Sequence, residues 1–130
     1  MSLVSRIVGT GSYLPARVVS NKEISTWVDT TDEWIRERSG ICQRHFAAEN
    51  EFTSDLAEQA SLRALEAAGI SGADLDLIVL ATATPDNTFP ATATKLRARL
   101  GMNGGFAFDV QAVCSGFLYA LSVADSMVKT

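Results

Sequence analysis

Phe106-Ala107-Phe108-Asp109-Val110-Gln111-Ala112-Val113-Cys114-Ser115-Gly116-Phe117 changes character midway, and its reading decides the fold. Phe106 to Val110 is an apolar run of strand length. From Gly116 the chain continues as Phe117-Leu118-Tyr119-Ala120-Leu121-Ser122-Val123-Ala124, an apolar helical run. Strand, tight turn and helix predict Cys114 at or near the helix's first turn. There, free backbone N–H groups and the positive end of the dipole favour the thiolate, which is the nucleophile. A small buried hydrophobe fits the same position, so position alone leaves both readings open. A helix terminus contributes roughly 0.3–2 kcal/mol, enough for partial activation only. Acyl transfer also requires a base or proton partner and a second oxyanion donor.

Working outward, Gly104-Gly105 leads into the strand, and Leu75 to Ala81 is a nearly unbroken aliphatic run. Such a run fits a parallel strand buried on both faces. Between the two strands lie a turn, Thr84-Pro85-Asp86-Asn87, and a helix with Pro90 at its first position, running through Leu96 to Leu100 and ending at Gly101. Upstream, Thr53 or Ser54 caps a helix with Asp55 and Glu58 in its first turn. Leu56, Ala60, Ala64 and Ala67 recur at helical spacing, and Gly69 closes it. This order predicts an α/β fold, a mostly parallel sheet with flanking helices. Cys114 then lies beyond the carboxyl end of a strand, and the helix from Ser115 to about Lys129 is buried except at Asp125.

The first fifty residues carry shorter signals. Arg6 to Pro15 reads as a strand broken by glycines. Its Gly9-x-Gly11 is no dinucleotide fingerprint, because the third glycine is missing and Pro15 stands where a helix should open. Ser20-x-x-Glu23 is a capping box for a short helix through Ile24 and Trp27. Thr30-x-x-Glu33 is a second one, for a helix closed by Gly40. Trp34 and Arg38, four apart, share a face of that second helix. An indole beside a guanidinium can stack a base and pair phosphates, or can be an ordinary surface cation–π pair. Cys42-x-x-His45 lacks two further ligands, so no metal site is expected and His45 reads as a hydrogen-bonded loop residue.

Composition narrows the classes. A chain of 130 residues, 47% hydrophobic, buries one core and predicts a single domain over 1–130. Its net charge of −4 argues against a nucleic-acid surface. No window approaches ~18 uninterrupted apolar residues, so no membrane span is expected. Met1 to Gly11 lacks a signal-peptide core, which points to the cytoplasm. In that reducing compartment a structural disulfide between Cys42 and Cys114 is not expected.

Gly9-Thr10-Gly11-Ser12-Tyr13-Leu14-Pro15, Asp32-Glu33-Trp34-Ile35, Arg44-His45 and the stretch from Ala107-Phe108-Asp109-Val110 to Tyr119-Ala120-Leu121 together resemble β-ketoacyl-acyl carrier protein synthase III. The resemblance runs the length of the chain and covers the first part of the family's sequence. It implies the N-terminal half of a thiolase-like fold, with the C-terminal half absent. Cys114 matches the family's acyl-accepting nucleophile, whose backbone N–H is half of the oxyanion hole. Trp34 and Arg38 match the residues that sandwich the adenine of coenzyme A, with Thr30 close by. Phe89 matches a residue that reaches across a homodimer to line the partner's acyl pocket. Gln111, Val113 and Ser115 depart from the alanines many members carry.

The implied reaction joins an acyl-coenzyme A primer to malonyl-acyl carrier protein through an acyl-cysteine, releasing CO2 and opening type II fatty acid synthesis. The implied partners are those two substrates and a second copy of the chain. Coenzyme A enters as a thioester substrate, and no permanently bound cofactor is expected. The alternatives are another thiolase-superfamily condensing enzyme, or an inactive truncated fragment that only binds coenzyme A or dimerises. The family's catalytic histidine and asparagine have no counterpart here, so 130 residues alone are expected to be inactive and prone to association.

Overall fold

The computed structural model describes residues 4–130. Contacts divide the chain into two units, Leu14–Glu51 and the chain up to Tyr13 together with Phe52–Thr130.

The smaller unit holds strand β1 (Arg17–Ser20), helices α1 (Asn21–Ile24) and α2 (Asp32–Ser39), and strand β2 (Gln43–Phe46). The two strands pair antiparallel, Arg17 opposite Phe46 and Ser20 opposite Gln43. Sequence reading did not find this pair, because four residues give too short a pattern to register. Helix α1 is capped as expected, with the Glu23 N–H donating to Ser20 Oγ at 3.2 Å, but it ends at Ile24 rather than Trp27. The α2 cap is shifted by one residue from expectation. Thr31, not Thr30, accepts from the Trp34 N–H at 3.2 Å. This shift puts Asp32 and Glu33 in the first two helical positions, where the dipole favours them. Gly40, at φ 72°, closes the helix as its sequence pattern predicts. Buried Asn21 ties the unit together: its Nδ2 donates to Asp32 Oδ1 (2.8 Å) and Ile41 O (2.7 Å), and its Oδ1 accepts from Arg44 (2.8 Å).

The larger unit contains α3 (Thr53–Ala68), β3 (Leu77–Ala81), α4 (Thr92–Arg99), β4 (Phe106–Val110) and α5 (Gly116–Lys129). β3 and β4 form the expected parallel pair, in register from Leu77 opposite Phe106 to Ala81 opposite Val110. Ile78, Ala93, Leu96 and Met102 form the core beneath α4. Both helix starts differ from expectation. Phe52, rather than Thr53 or Ser54, caps α3, with Asp55 accepting from its N–H at 2.7 Å. α4 begins at Thr92, two residues after Pro90, because a distant carboxylate, Asp109, supplies the cap.

The expected strand over Arg6–Pro15 is absent, since residues 4–15 carry no regular structure. Gly9 and Gly11 explain the difference. Each lies so close to α3 that a Cβ would strike the carbonyl oxygen of Ala64 or Ala60 respectively. The glycines bring the chain against a helix rather than into a ladder. Helix α5 also departs from expectation in its burial. It packs on β3 so closely that a Cβ on Gly116 would lie 3.2 Å from Ala81 Cβ. Only Gly116 and Ala120 are buried, however, and Phe117, Leu118 and Tyr119 are exposed, because the described residues cover one face of the helix. Asp125 finds a partner, accepting from Lys129 at 2.6 Å. Among the described residues no helix is long and apolar enough to cross a membrane.

Candidate active site

Cys114 lies in a short 3-10 turn, Val113–Ser115, between β4 and α5. It stands just ahead of the helix rather than within its first turn. The turn is closed by the Ser115 N–H donating to Ala112 O at 3.0 Å. Val113, next to the cysteine, has φ +45°, a left-handed conformation that a β-branched residue seldom adopts. Such a residue costs on the order of 1–3 kcal/mol and persists where its surroundings over-determine it. Here the surroundings are the parallel ladder on one side and the tight Gly116–Ala81 approach on the other. Strand end, strained turn and closely packed helix together hold an exposed thiol at the carboxyl end of a parallel sheet. Beside it runs an apolar groove of about 670 Å3, lined by Val79, Ala81, Val113, Phe117 and Leu121.

In the smaller unit, α2 brings the second predicted pair together. The Arg38 guanidinium lies 4.9 Å from the Trp34 ring centroid, and the indole remains 54% exposed. Thr30 borders the same face with Val28, Asp29 and Ile35, in a groove of about 520 Å3. The one-residue shift of the cap leaves the Thr30 hydroxyl buried and without a hydrogen-bond partner among the described residues. On the opposite side, the Arg36 guanidinium donates from Nε to Asp32 (2.7 Å) and from Nη1 to Cys42 Sγ (2.9 Å). Hydrogen bonds from Asn21 and then Arg36 hold the Asp32 carboxyl below its ordinary range.

The remaining sequence candidates separate cleanly. Phe89 projects from the β3–α4 loop and is 88% exposed. His45 pairs through Nδ1 with the Pro15 carbonyl, as a loop-type histidine would, although it sits on β2. No group of three or more His, Cys, Asp or Glu among the described residues is placed to hold a metal. Both cysteines are free.

Sequence reading missed two carboxylates that hold the starts of α4 and α3. Asp109 accepts from the Thr92 and Ala93 N–H groups, both at 2.8 Å, and so caps α4 from β4. Asp86 accepts from the Ser54 N–H at the start of α3 (2.9 Å) and from Lys95 (2.8 Å). Burial pushes the Asp86 carboxyl up, but hydrogen bonds from Lys95 and Ser54 and the Lys95 charge hold it below its usual value. The available signal was a lone charge inside an apolar strand, Phe106-Ala107-Phe108-Asp109-Val110.

The family model for 3-oxoacyl-[acyl-carrier-protein] synthase III matches residues 108–130, the cysteine turn and α5. The β-ketoacyl-[acyl-carrier-protein] synthase III of Paramagnetospirillum magneticum is 69% identical over 130 residues, 100% of this chain and 40% of that protein. The crystal structure of the Aquifex aeolicus 3-oxoacyl-[acyl-carrier-protein] synthase III superposes with a TM-score of 0.90 at 49% identity, covering 95% of this chain and 40% of that one. The priming β-ketosynthase of the R1128 polyketide pathway superposes at 0.92 with 42% identity, covering 98% and 38%. Parallel sheet, cysteine turn and these likenesses define a thiolase-like α/β fold. Within that fold the chain is similar to the β-ketoacyl-[acyl-carrier-protein] synthases III. It spans about 40% of the length of the curated relatives it matches.

Proposed function

We propose that this chain supplies the acyl-accepting cysteine and the coenzyme A clamp of an enzyme that opens type II fatty acid synthesis. The Cys114 thiolate attacks the carbonyl carbon of an acyl-coenzyme A. The bond to the coenzyme A sulfur breaks, the coenzyme A thiolate leaves and takes up a proton, and an acyl-cysteine remains. Malonyl-acyl carrier protein then loses CO2, and the electron pair of the broken C–C bond forms a carbanion. That carbanion attacks the acyl-cysteine, giving β-ketoacyl-acyl carrier protein and returning the Cys114 thiolate.

In this reading the Cys114 N–H is one oxyanion donor, and the family's histidine and asparagine lie outside these residues. Trp34 and Arg38 clamp the adenine, with Thr30 beside them. The thioester is a substrate, and no cofactor stays bound. Phe89 lines the acyl pocket of a second copy in a homodimer. The reaction runs in the cytoplasm without nucleic acid or membrane.

The observation that carries the reading is an exposed cysteine on a strained turn between a parallel strand and a tightly packed helix. Mass spectrometry of the full-length protein after incubation with acetyl-coenzyme A tests it. An acetyl adduct is expected on Cys114, retained in Cys42→Ser and absent from Cys114→Ser. An adduct confined to Cys42 overturns the assignment. The likeness to the R1128 priming ketosynthase supports a second reading, a primer enzyme for polyketide assembly. Turnover with a polyketide carrier protein but not with the fatty-acid carrier would favour it.

A further inference from the structure

The loop between β3 and α4, residues 82–91, is tied down at several points yet holds one large apolar ring in solvent. The Thr84 N–H donates to Thr82 Oγ1 (3.1 Å), and its carbonyl accepts from Thr53 Oγ1 (2.6 Å). The Asp86 carboxylate binds the Ser54 N–H and Lys95, while its own N–H donates to Thr92 Oγ1 at 3.0 Å. Asp109 completes the set by holding the N–H groups of Thr92 and Ala93. The bonds at Thr92 and to Ser54 are partly buried, with Thr92 1% exposed and the Asp86 side chain 3%, while those to Lys95, Thr84 and Thr53 lie at the surface. Charge-assisted bonds are short and strong, and they fix direction as well as distance.

Exposure of a single apolar residue is ordinary. Here, however, the chain is restrained on both sides of Phe89, at Thr84 and Asp86 before it and at Thr92 after it. The anchor of that loop belongs to the strand that delivers the nucleophile, since β4 runs from Asp109 through Val110 straight into the Cys114 turn. Two features far apart in sequence therefore share one carboxylate.

We infer that Asp109 is a positioning residue that sets primer selectivity, because it caps α4 from the cysteine's own strand and, through Thr92 and Asp86, fixes the loop presenting Phe89. The inference rests on the reading of Phe89 as an acyl-pocket residue. It is tested in the full-length enzyme by comparing kcat/KM for acetyl-coenzyme A and hexanoyl-coenzyme A in four proteins: wild type, Asp109→Asn, Phe89→Ala and the double variant. Asparagine keeps the shape but offers one acceptor oxygen in place of two, so one cap bond is lost.

Asp109→Asn is expected to change the ratio between the two primers about tenfold, a coupling typical of residues in one network. On the Phe89→Ala background the same substitution should leave that ratio unchanged. Equal losses for both primers, or the same ratio change on both backgrounds, would overturn the inference and leave Asp109 a purely structural cap. Thr92→Val removes the hydroxyl that accepts from Asp86 while keeping both N–H bonds to Asp109. It should shift the ratio in the same direction, and it serves if Asp109→Asn fails to fold. A wild-type enzyme that no acyl-coenzyme A acylates overturns the functional reading itself, a result distinct from a changed ratio.

Discussion

Helix α2 and the Cys114 turn reach defined geometries by opposite routes. Within Thr31–Gly40 the helix carries nearly everything it uses: a threonine cap, Asp32 on Arg36, Arg38 over Trp34, and a left-handed glycine at its end. The cysteine turn has two short-range backbone bonds, Ser115 N–H to Ala112 O and Gly116 N–H to Val113 O, and a valine in an unfavourable conformation. Its form comes from β3, from α5 pressing on Ala81, and from Asp109 reaching α4. A helix face can thus be built from local rules, while a strained turn is imposed by its surroundings.

Three experiments break or sharpen this contrast. If Trp34 and Arg38 act as a clamp, Trp34→Ala should raise KM for acyl-coenzyme A about tenfold with kcat nearly unchanged, the sign of lost uniform binding. An unchanged KM with a lowered Tm would make the pair purely structural. Next in size, Thr31→Ala removes the α2 cap and should cost about 1 kcal/mol of stability. Thr30→Ala should cost less, because Thr30 caps nothing. A larger Tm loss for Thr30→Ala than for Thr31→Ala would return the cap to the position that the sequence pattern predicts.

The smallest effect concerns acid stability in the larger unit. The Asp86 carboxyl titrates below its unfolded value, so the unfolded chain binds more protons as the pH falls. Its contribution is therefore full above about pH 4 and is lost as pH drops through the lower folded value. Tm measured against pH should show a shallower acid limb in Asp86→Asn than in wild type. An identical slope in the two proteins would rule out that linkage.

What sequence made legible follows the same divide. The β3–β4 pair, α5 and the position of Cys114 announced themselves through long apolar runs meeting at a turn. Trp34 and Arg38 were found by helical spacing, and the geometry adds only their 4.9 Å approach. The failures were of two kinds. The first was a cap register off by one, Thr31 in place of Thr30, which a local pattern does not fix. The α4 start and the Gly9–Gly11 segment depended on partners tens of residues away, Asp109 in one case and α3 in the other, which no local window contains. The exposure of α5 is a matter of what covers a helix, which its own sequence does not state.

One guanidinium in the smaller unit bears on how this protein responds to thiol-directed reagents. Both cysteines are exposed and free, so an alkylating probe or covalent inhibitor meets two targets. A label on Cys42 leaves Cys114 untouched, but it lands where Arg36 Nη1 donates to sulfur. The other arm of that guanidinium holds Asp32 at the start of the helix bearing Trp34. If Trp34 and Arg38 form the proposed clamp, modifying Cys42 would therefore loosen that coenzyme A face while leaving Cys114 unmodified. In a screen scored by turnover alone, such a compound would pass for a competitor of the thioester.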